Sequence, residues 1–497
     1  MKGFVLNNSK SLATQNHGDN TPQQSSPVIA NQGRVLEHNV NFTCYVPENF
    51  NIDELINENP PDFIYDKDKF NYIAHLITDI PSKRKGNNND GDEIWEKDDY
   101  PYTPFYTPLL QSKIQKYKKY LTYLIDNKVL ESDNWYIKGK KSIGYKFTQQ
   151  YQTDTKPTPL TKKVFIRRVL QHVNVDFNSL NLNLPRMDKN EVSYDFITKW
   201  FDGNLTIEYK EAMKYLQGLY LKEVKTIGHE KAIRKKNHRR IVVEKIHRGD
   251  FVFSIDNTAG RMHTVLTQLK GELRKFIKYN GKYLAAADLR NSQLYLSAIL
   301  FDEDRFIEND ILNVIKDYNE NFDSEYNPYP KPYYVSKNIE KYKSLVSSGK
   351  LYEKFIDYLI EDGVLDPSED FDSLRSKAKK GVITAIFSPN SSISYNNYMK
   401  TFEAHFPEVY DVFRSIKYGK GKHNTLACTL QRIEADLILD KACRIISDAN
   451  QDIPLFTLHD AIITTEEHID FVEMVMKNVL TEAIGIPPEI KIEYWAA

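Results

Sequence analysis

The stretch Tyr283-Leu-Ala-Ala-Ala-Asp288-Leu-Arg-Asn-Ser-Gln293 decides how this chain is read. An apolar run ends on a carboxylate, the pattern of a short buried strand that delivers Asp288 at its tip. A second stretch, Pro454-Leu-Phe-Thr-Leu-His459-Asp460-Ala-Ile-Ile-Thr464, delivers Asp460 in the same way. Two such strands side by side would converge two carboxylates on one or two hard cations, as two-metal phosphoryl transfer requires. Taken alone the pair says little, because strand-terminal Asp residues commonly cap a helix or turn. The sequence before and between them carries the rest.

Composition sets bounds. At 497 residues the chain has room for roughly two to four domains. With 41% hydrophobic and 12% aromatic residues, global disorder is excluded. The 67 basic and 68 acidic residues leave a net charge of −1, so any nucleic-acid contact must come from local patches. Cys44, Cys428 and Cys443 are too few and too scattered for a disulfide framework or a zinc site, which suits a reducing compartment. No apolar run approaches the ~18 residues that span a membrane, and the N-terminus lacks a charged-then-apolar signal layout. A soluble, cytoplasmic protein with no membrane partner is expected.

Residues 1–36 are polar and read as a tail or extended arm. Residues 37–105 form an accessory region interrupted by Lys83-Arg-Lys-Gly-Asn-Asn-Asn-Asp-Gly-Asp92, a solvated loop by composition. Leu110, Ile114, Tyr117, Leu121 and Leu124 predict a helix over Leu109–Ile125. Strand-like pieces follow at Val129–Glu131, Trp135–Ile137 and Gly144–Phe147, around the turn Lys138-Gly-Lys-Lys141. Residues 106–185 thus resemble the winged-helix modules of plasmid and phage replication proteins, with Lys138, Lys140 and Lys141 as phosphate contacts. A small α+β subdomain with a lysine-rich turn accounts for the same pattern. Residues 190–225 read as helical on Phe196, Trp200, Phe201, Met213, Leu216 and Leu219. Lys231-Ala-Ile-Arg-Lys-Lys-Asn-His-Arg-Arg240 follows. Such a run is usually a solvated face, but its place before the Asp288 segment points to a phosphate-backbone contact.

Downstream the chain carries chemistry at several points. Thr258-Ala-Gly260-Arg261 precedes the Asp288 strand. In Leu374-Arg375-Ser-Lys-Ala-Lys379-Lys-Gly-Val-Ile383-Thr-Ala-Ile-Phe387-Ser388, four residues recur at intervals of four: Arg375, Lys379, Ile383 and Phe387. On a helix they share one slowly rotating stripe. Two cations followed by two apolar side chains make a surface for a nucleoside triphosphate. Phe402-Glu-Ala-His-Phe406-Pro407-Glu-Val409 and Leu430-Gln431-Arg-Ile-Glu-Ala435-Asp436 come next, before His459-Asp460.

In type and order, these segments over residues 255–495 resemble family-A DNA polymerases, and in part the related phage-type single-subunit RNA polymerases. The resemblance implies an α+β, right-hand architecture: an antiparallel palm sheet with helical fingers and thumb, plus an N-terminal α/β accessory region. The palm would span 251–301 and 426–497, the fingers 302–425 and a thumb-like helical region 186–250. Asp288, Asp460 and the Leu289 carbonyl would hold two Mg²⁺ ions, or Mn²⁺. Lys379 would meet the β- and γ-phosphates and serve as proton donor to pyrophosphate, beside Arg375. Ile383, Phe387 and Gln293 would border the nucleotide. Arg261, Gln431 and His459 would face a DNA primer–template or single-stranded template.

The chain departs from the family at Ala259, which lengthens Thr-Gly-Arg, and at Gln293, where DNA-synthesising members carry Glu. It departs again at Phe387-Ser388, where Tyr-Gly is usual, and at Ala461, where an acid follows His-Asp. Residues 1–190 carry no Asp-x-Glu exonuclease start, and no Walker-type loop occurs. The expected activity is template-directed extension of a 3′-hydroxyl with dNTPs. Two alternatives stand beside it: a primase-like or single-subunit RNA polymerase, and a non-catalytic DNA-binding initiator that uses the palm as scaffold.

Overall fold

The computed structural model describes residues 42–79, 84–87, 93–96, 101–137, 141–170, 194–256, 258–320, 322 and 336–496. The 1–36 segment, Lys138, Lys140 and residues 171–193 lie outside them. The class is α+β, as expected, and every paired strand is antiparallel.

Strand β1 (Thr43–Pro47) opens the described chain. The start of the polar stretch read as a loop is instead strand β2 (Arg84–Asn87), which pairs as a ribbon with β3 (Glu93–Glu96) just beyond that stretch; residues 88–92 lie outside the described residues. Strands β4 (Thr103–Pro104), β5 (Leu130–Ser132) and β6 (Gly144–Phe147) form a small sheet in the order β4-β6-β5. The helix predicted over Leu109–Ile125 is two helices, Thr107–Lys113 and Tyr117–Asp126, because Lys116 turns left-handed at φ 59°. Trp135–Ile137 makes only a single bridge, Ile137 to Lys141. Strand β7 (Thr155–Pro159) returns to pair with β1.

The predicted 190–225 helix is likewise broken. A turn at Asp195–Thr198 leads to β8 (Leu205–Ile207), and only then does the helix Tyr209–Ile227 begin. It is antiparallel to the helix His229–Arg248, which carries the basic run. That run is held by acids of the same chain. Lys236 bonds Asp154 and Gln217, Arg239 forks onto Glu223 and reaches Glu272, and Arg240 approaches Asp154 and Glu244. Further along, Lys245 bonds Asp79. The helix therefore pins the N-terminal region to the rest of the chain, and the phosphate contact expected of its run does not fit this geometry. Lys141 is similar: its ammonium lies 3.2 Å from Asp133 and over the Trp135 ring.

A short hairpin of β9 (Ser254–Ile255) and β10 (Met262–His263) follows β8 and precedes the other strands of the main sheet. That sheet comprises β8, β11 (Ile277–Tyr279), β12 (Lys282–Leu289), β13 (Phe456–Thr457), β14 (Ala461–Thr465) and β15 (Ile490–Tyr494). Its order is β13-β14-β12-β11-β8, with β15 on the other side of β12. Leu284, Ala285, Ala286 and Ala287 of β12 are all buried, as a central strand covered on both faces requires. The helix Ile469–Ile484 packs on the sheet through residues such as Val472, Met476 and Leu480. Between β12 and β13 the described residues form helices and no strand, and one hydrophobic core runs from Tyr194 to Trp495.

Candidate active site

The register of β12 on β14 sets Asp288 opposite Ala461, the residue after Asp460. The Leu289 amide donates to the Asp460 carbonyl at 3.1 Å, locking the two strand tips together. His459 sits at the hairpin corner with φ 63°, and the Leu458 amide closes the turn on the Ala461 carbonyl at 2.9 Å. A left-handed backbone at a non-glycine residue costs about 1–2 kcal/mol, so this corner is held by its surroundings.

Burial pushes the Asp288 carboxyl up to about 6, helped by the charges of Asp460 and Glu493. Burial raises Asp460 as well, against a hydrogen bond from Ser292 and the charges of Arg261 and Lys379. Two partly desolvated carboxylates that repel each other form a hard-oxygen donor pair suited to a divalent cation. Among the described residues, no group of three or more His, Cys, Asp or Glu side chains gathers as a metal-ligand cluster.

The helix Phe371–Phe387 presents the predicted stripe. Asp370 caps its N-terminus by accepting from the Ser373 amide at 2.9 Å. Leu374, Ala378, Val382, Ala385 and Ile386 are buried on one face, which leaves Lys379 and Ile383 exposed on the other with Arg375 and Phe387 partly covered. Phe387 packs against the core margin. The Lys379 charge acts on Asp460 and lowers it. The Arg375 guanidinium bonds Glu353 at 2.8 Å and lies 5.7 Å from the Tyr352 ring centroid. Tyr352, pushed up to about 12 by burial, feels both Arg375 and Asp460.

Arg261 enters from the loop after β9. There the Asp256 carboxylate accepts from the amides of Thr258, Ala259 and Arg261. Gly260 is left-handed at φ 71°, and a side chain in its place would strike the Arg432 guanidinium. The extra Ala259 is thus absorbed in a turn built around Asp256. The Arg261 guanidinium does not point outward as a duplex contact would; it bonds the buried Glu434. Gln293 meets the same carboxylate from the helix Ser292–Leu296. Gln431 is half-buried one turn before Glu434. His459 is held near 4 by burial and by the Arg261 and His263 charges, so it is neutral at physiological pH.

Several members of the site were not singled out from the sequence: Glu434, Tyr352, Ser292, Glu493 and Lys491. The alternation Ile490-Lys491-Ile492-Glu493 was a readable signal, since it sets both charged residues on one face of β15, with Lys491 opposite Asp288. Arg274 bonds Glu493 at 3.2 Å and tempers its charge.

No protein-family model matches the sequence, and no curated protein does. Among solved structures, the chain is similar to the POL domain of Pol1 from M. smegmatis, determined in complex with DNA primer-template and dNTP. The two share 12% sequence identity at a TM-score of 0.43, over 67% of this chain and 73% of that one.

Proposed function

We propose that this protein is a template-directed nucleotidyltransferase of the family-A polymerase type that extends a 3′-hydroxyl with dNTPs. The observation that carries the reading is the pairing of β12 with β14, which brings half-buried Asp288 and Asp460 within electrostatic reach of each other, with Lys379 in reach of Asp460. Two Mg²⁺ ions, or Mn²⁺, held by Asp288, Asp460 and the Leu289 carbonyl would supply charge neutralisation and a more acidic 3′-hydroxyl.

The side chains divide the remaining work. Lys379 offsets charge on the β- and γ-phosphates and gives a proton to the departing pyrophosphate. Arg375 exchanges Glu353 for a phosphate oxygen, a stronger acceptor for a guanidinium. Ile383 and Phe387 pack on the nucleotide, with Gln293 at the sugar. Neutral His459 approaches the primer terminus, and Gln431 offers donor and acceptor to the minor-groove edge. Arg261 backs the primer–template side from its Glu434 pair. The right-hand division of the chain belongs to this proposal, with fingers around 302–425 and palm at 251–301 and 426–497.

A ribonucleotide-polymerising version rests on Phe387, Gln293 and Ala461, none of which has the family's DNA-synthesising identity. Comparing dATP with ATP on one template separates the two. The initiator reading loses its basic helix to internal ion pairs. Primer extension with Mg²⁺ tests the whole: wild type extends and Asp460→Ala does not. Equal behaviour of the two ends the catalytic reading.

A further inference from the structure

Glu434 ends the helix Thr425–Glu434, immediately before the π-helical segment Ala435–Ala442, and its side chain is 1% exposed. Segments of π-helix recur at functional sites, where they re-aim side chains. Arg261 Nη2 donates to both Glu434 oxygens, at 2.9 and 2.5 Å. Gln293 Nε2 donates to Glu434 Oε2 at 2.5 Å. One buried carboxylate therefore ties the loop after β9 to the first turn after β12.

A carboxylate this deep is tolerated only with strong donors, and among the described residues Arg261 and Gln293 donate to it. The bond also orients the amide. Burial pushes the Glu434 carboxyl up to about 7, while the Arg261 guanidinium on both of its oxygens favours the ionised form. That form only accepts, so Gln293 presents its NH₂ group to it, and the Gln293 carbonyl Oε1 is left buried without a hydrogen-bond partner. A glutamate at 293 would place two like charges within hydrogen-bond distance, and one would have to take a proton. Glutamine at 293 meets Glu434 without that extra proton.

We propose that Glu434 is a positioning residue for sugar selection. It holds the Gln293 amide in one orientation and, paired with Arg261, supplies beside position 293 the negative charge that Gln293 lacks. This rests on the polymerase reading given above.

The test is the ratio of kcat/KM for dATP over ATP on one primer–template. It is measured for wild type, Glu434→Gln, Gln293→Ala, the Glu434→Gln/Gln293→Ala double variant and the exchanged pair Gln293→Glu/Glu434→Gln. Each single variant moves the ratio about tenfold, a size typical of one pocket contact. The double variant moves it no further than the larger single, since the two act as one unit. The exchanged pair returns it to within about threefold of wild type. A ratio unchanged in Glu434→Gln while both nucleotides slow alike overturns the proposal, as do single effects that multiply. If Glu434→Gln does not fold, Glu434→Asp replaces it, keeping the charge but drawing it back by one methylene: a ratio moved in the same direction as in Gln293→Ala supports the proposal, and an unmoved one overturns it. Absence of any Asp460-dependent incorporation by wild type overturns the polymerase reading, and this inference with it.

Discussion

Asp288 is forced to ionise beside Asp460, and that has a thermodynamic signature independent of turnover. Its pKa in the folded chain, about 6, lies above the ordinary 3.8, so the folded state holds this proton more tightly than the unfolded state does. The associated stability is complete at low pH and is lost as pH rises through about 6. At neutral pH without metal, Asp288→Asn should therefore raise stability, by about 1–2 kcal/mol after allowing for the site's partial solvation. Divalent cation should raise the thermal midpoint of wild type and leave that of Asp288→Asn little changed, by thermal melts with and without Mg²⁺. Lys379→Ala should lower kcat about 10²–10³-fold with primer–template affinity unchanged, in single-turnover extension and binding titrations. Arg375→Ala should act mainly on KM for the nucleotide, because its guanidinium must first leave Glu353.

Among elements, the helix Phe371–Phe387 was the most legible, because a fourfold spacing marks one face whatever surrounds it. Its supports were not. Gly381 lies against Tyr398 and Phe355, where an added Cβ would come within 2.6 Å of one ring and 3.1 Å of the other. Gly381→Ala should cost about 1–3 kcal/mol in chemical denaturation, because two packed rings must move. Lys417, fully buried, donates to the carbonyls of Ala385 at 2.6 Å and Ser388 at 3.2 Å, closing the C-terminal end of the helix. The strands carrying Asp288 and Asp460 were readable as apolar runs, and their partnership needed only that they be neighbours. The helix break at Lys116 had no glycine or proline to announce it. Strand β8 was hidden in a stretch whose aromatic residues mimic helical spacing. Glu434 was invisible for another reason: Arg261 and Gln293 are remote in sequence and meet it only once the sheet has formed.

Across the whole molecule, the helix His229–Arg248 shows how a charge run misleads. Its cations look like a nucleic-acid patch in the sequence, yet Lys236, Arg239, Arg240 and Lys245 face Asp154, Glu223, Glu272, Glu244 and Asp79. Removing one partner of a buried pair leaves the other uncompensated. Lys236→Ala should thus cost about 3 kcal/mol of stability and leave the salt dependence of primer–template binding unaltered. A phosphate contact would instead lower the salt slope by about 1 with little loss of stability.

The central claim is that Asp288 and Asp460 form one cation-binding site served by the Arg375–Phe387 stripe. A crystal grown with Mn²⁺, primer–template and a non-hydrolysable dNTP tests it through the anomalous map. The account predicts manganese between the two carboxylates, with the triphosphate on Arg375 and Lys379. Well-ordered nucleotide bound elsewhere, with no anomalous density at Asp288 and Asp460, would contradict it.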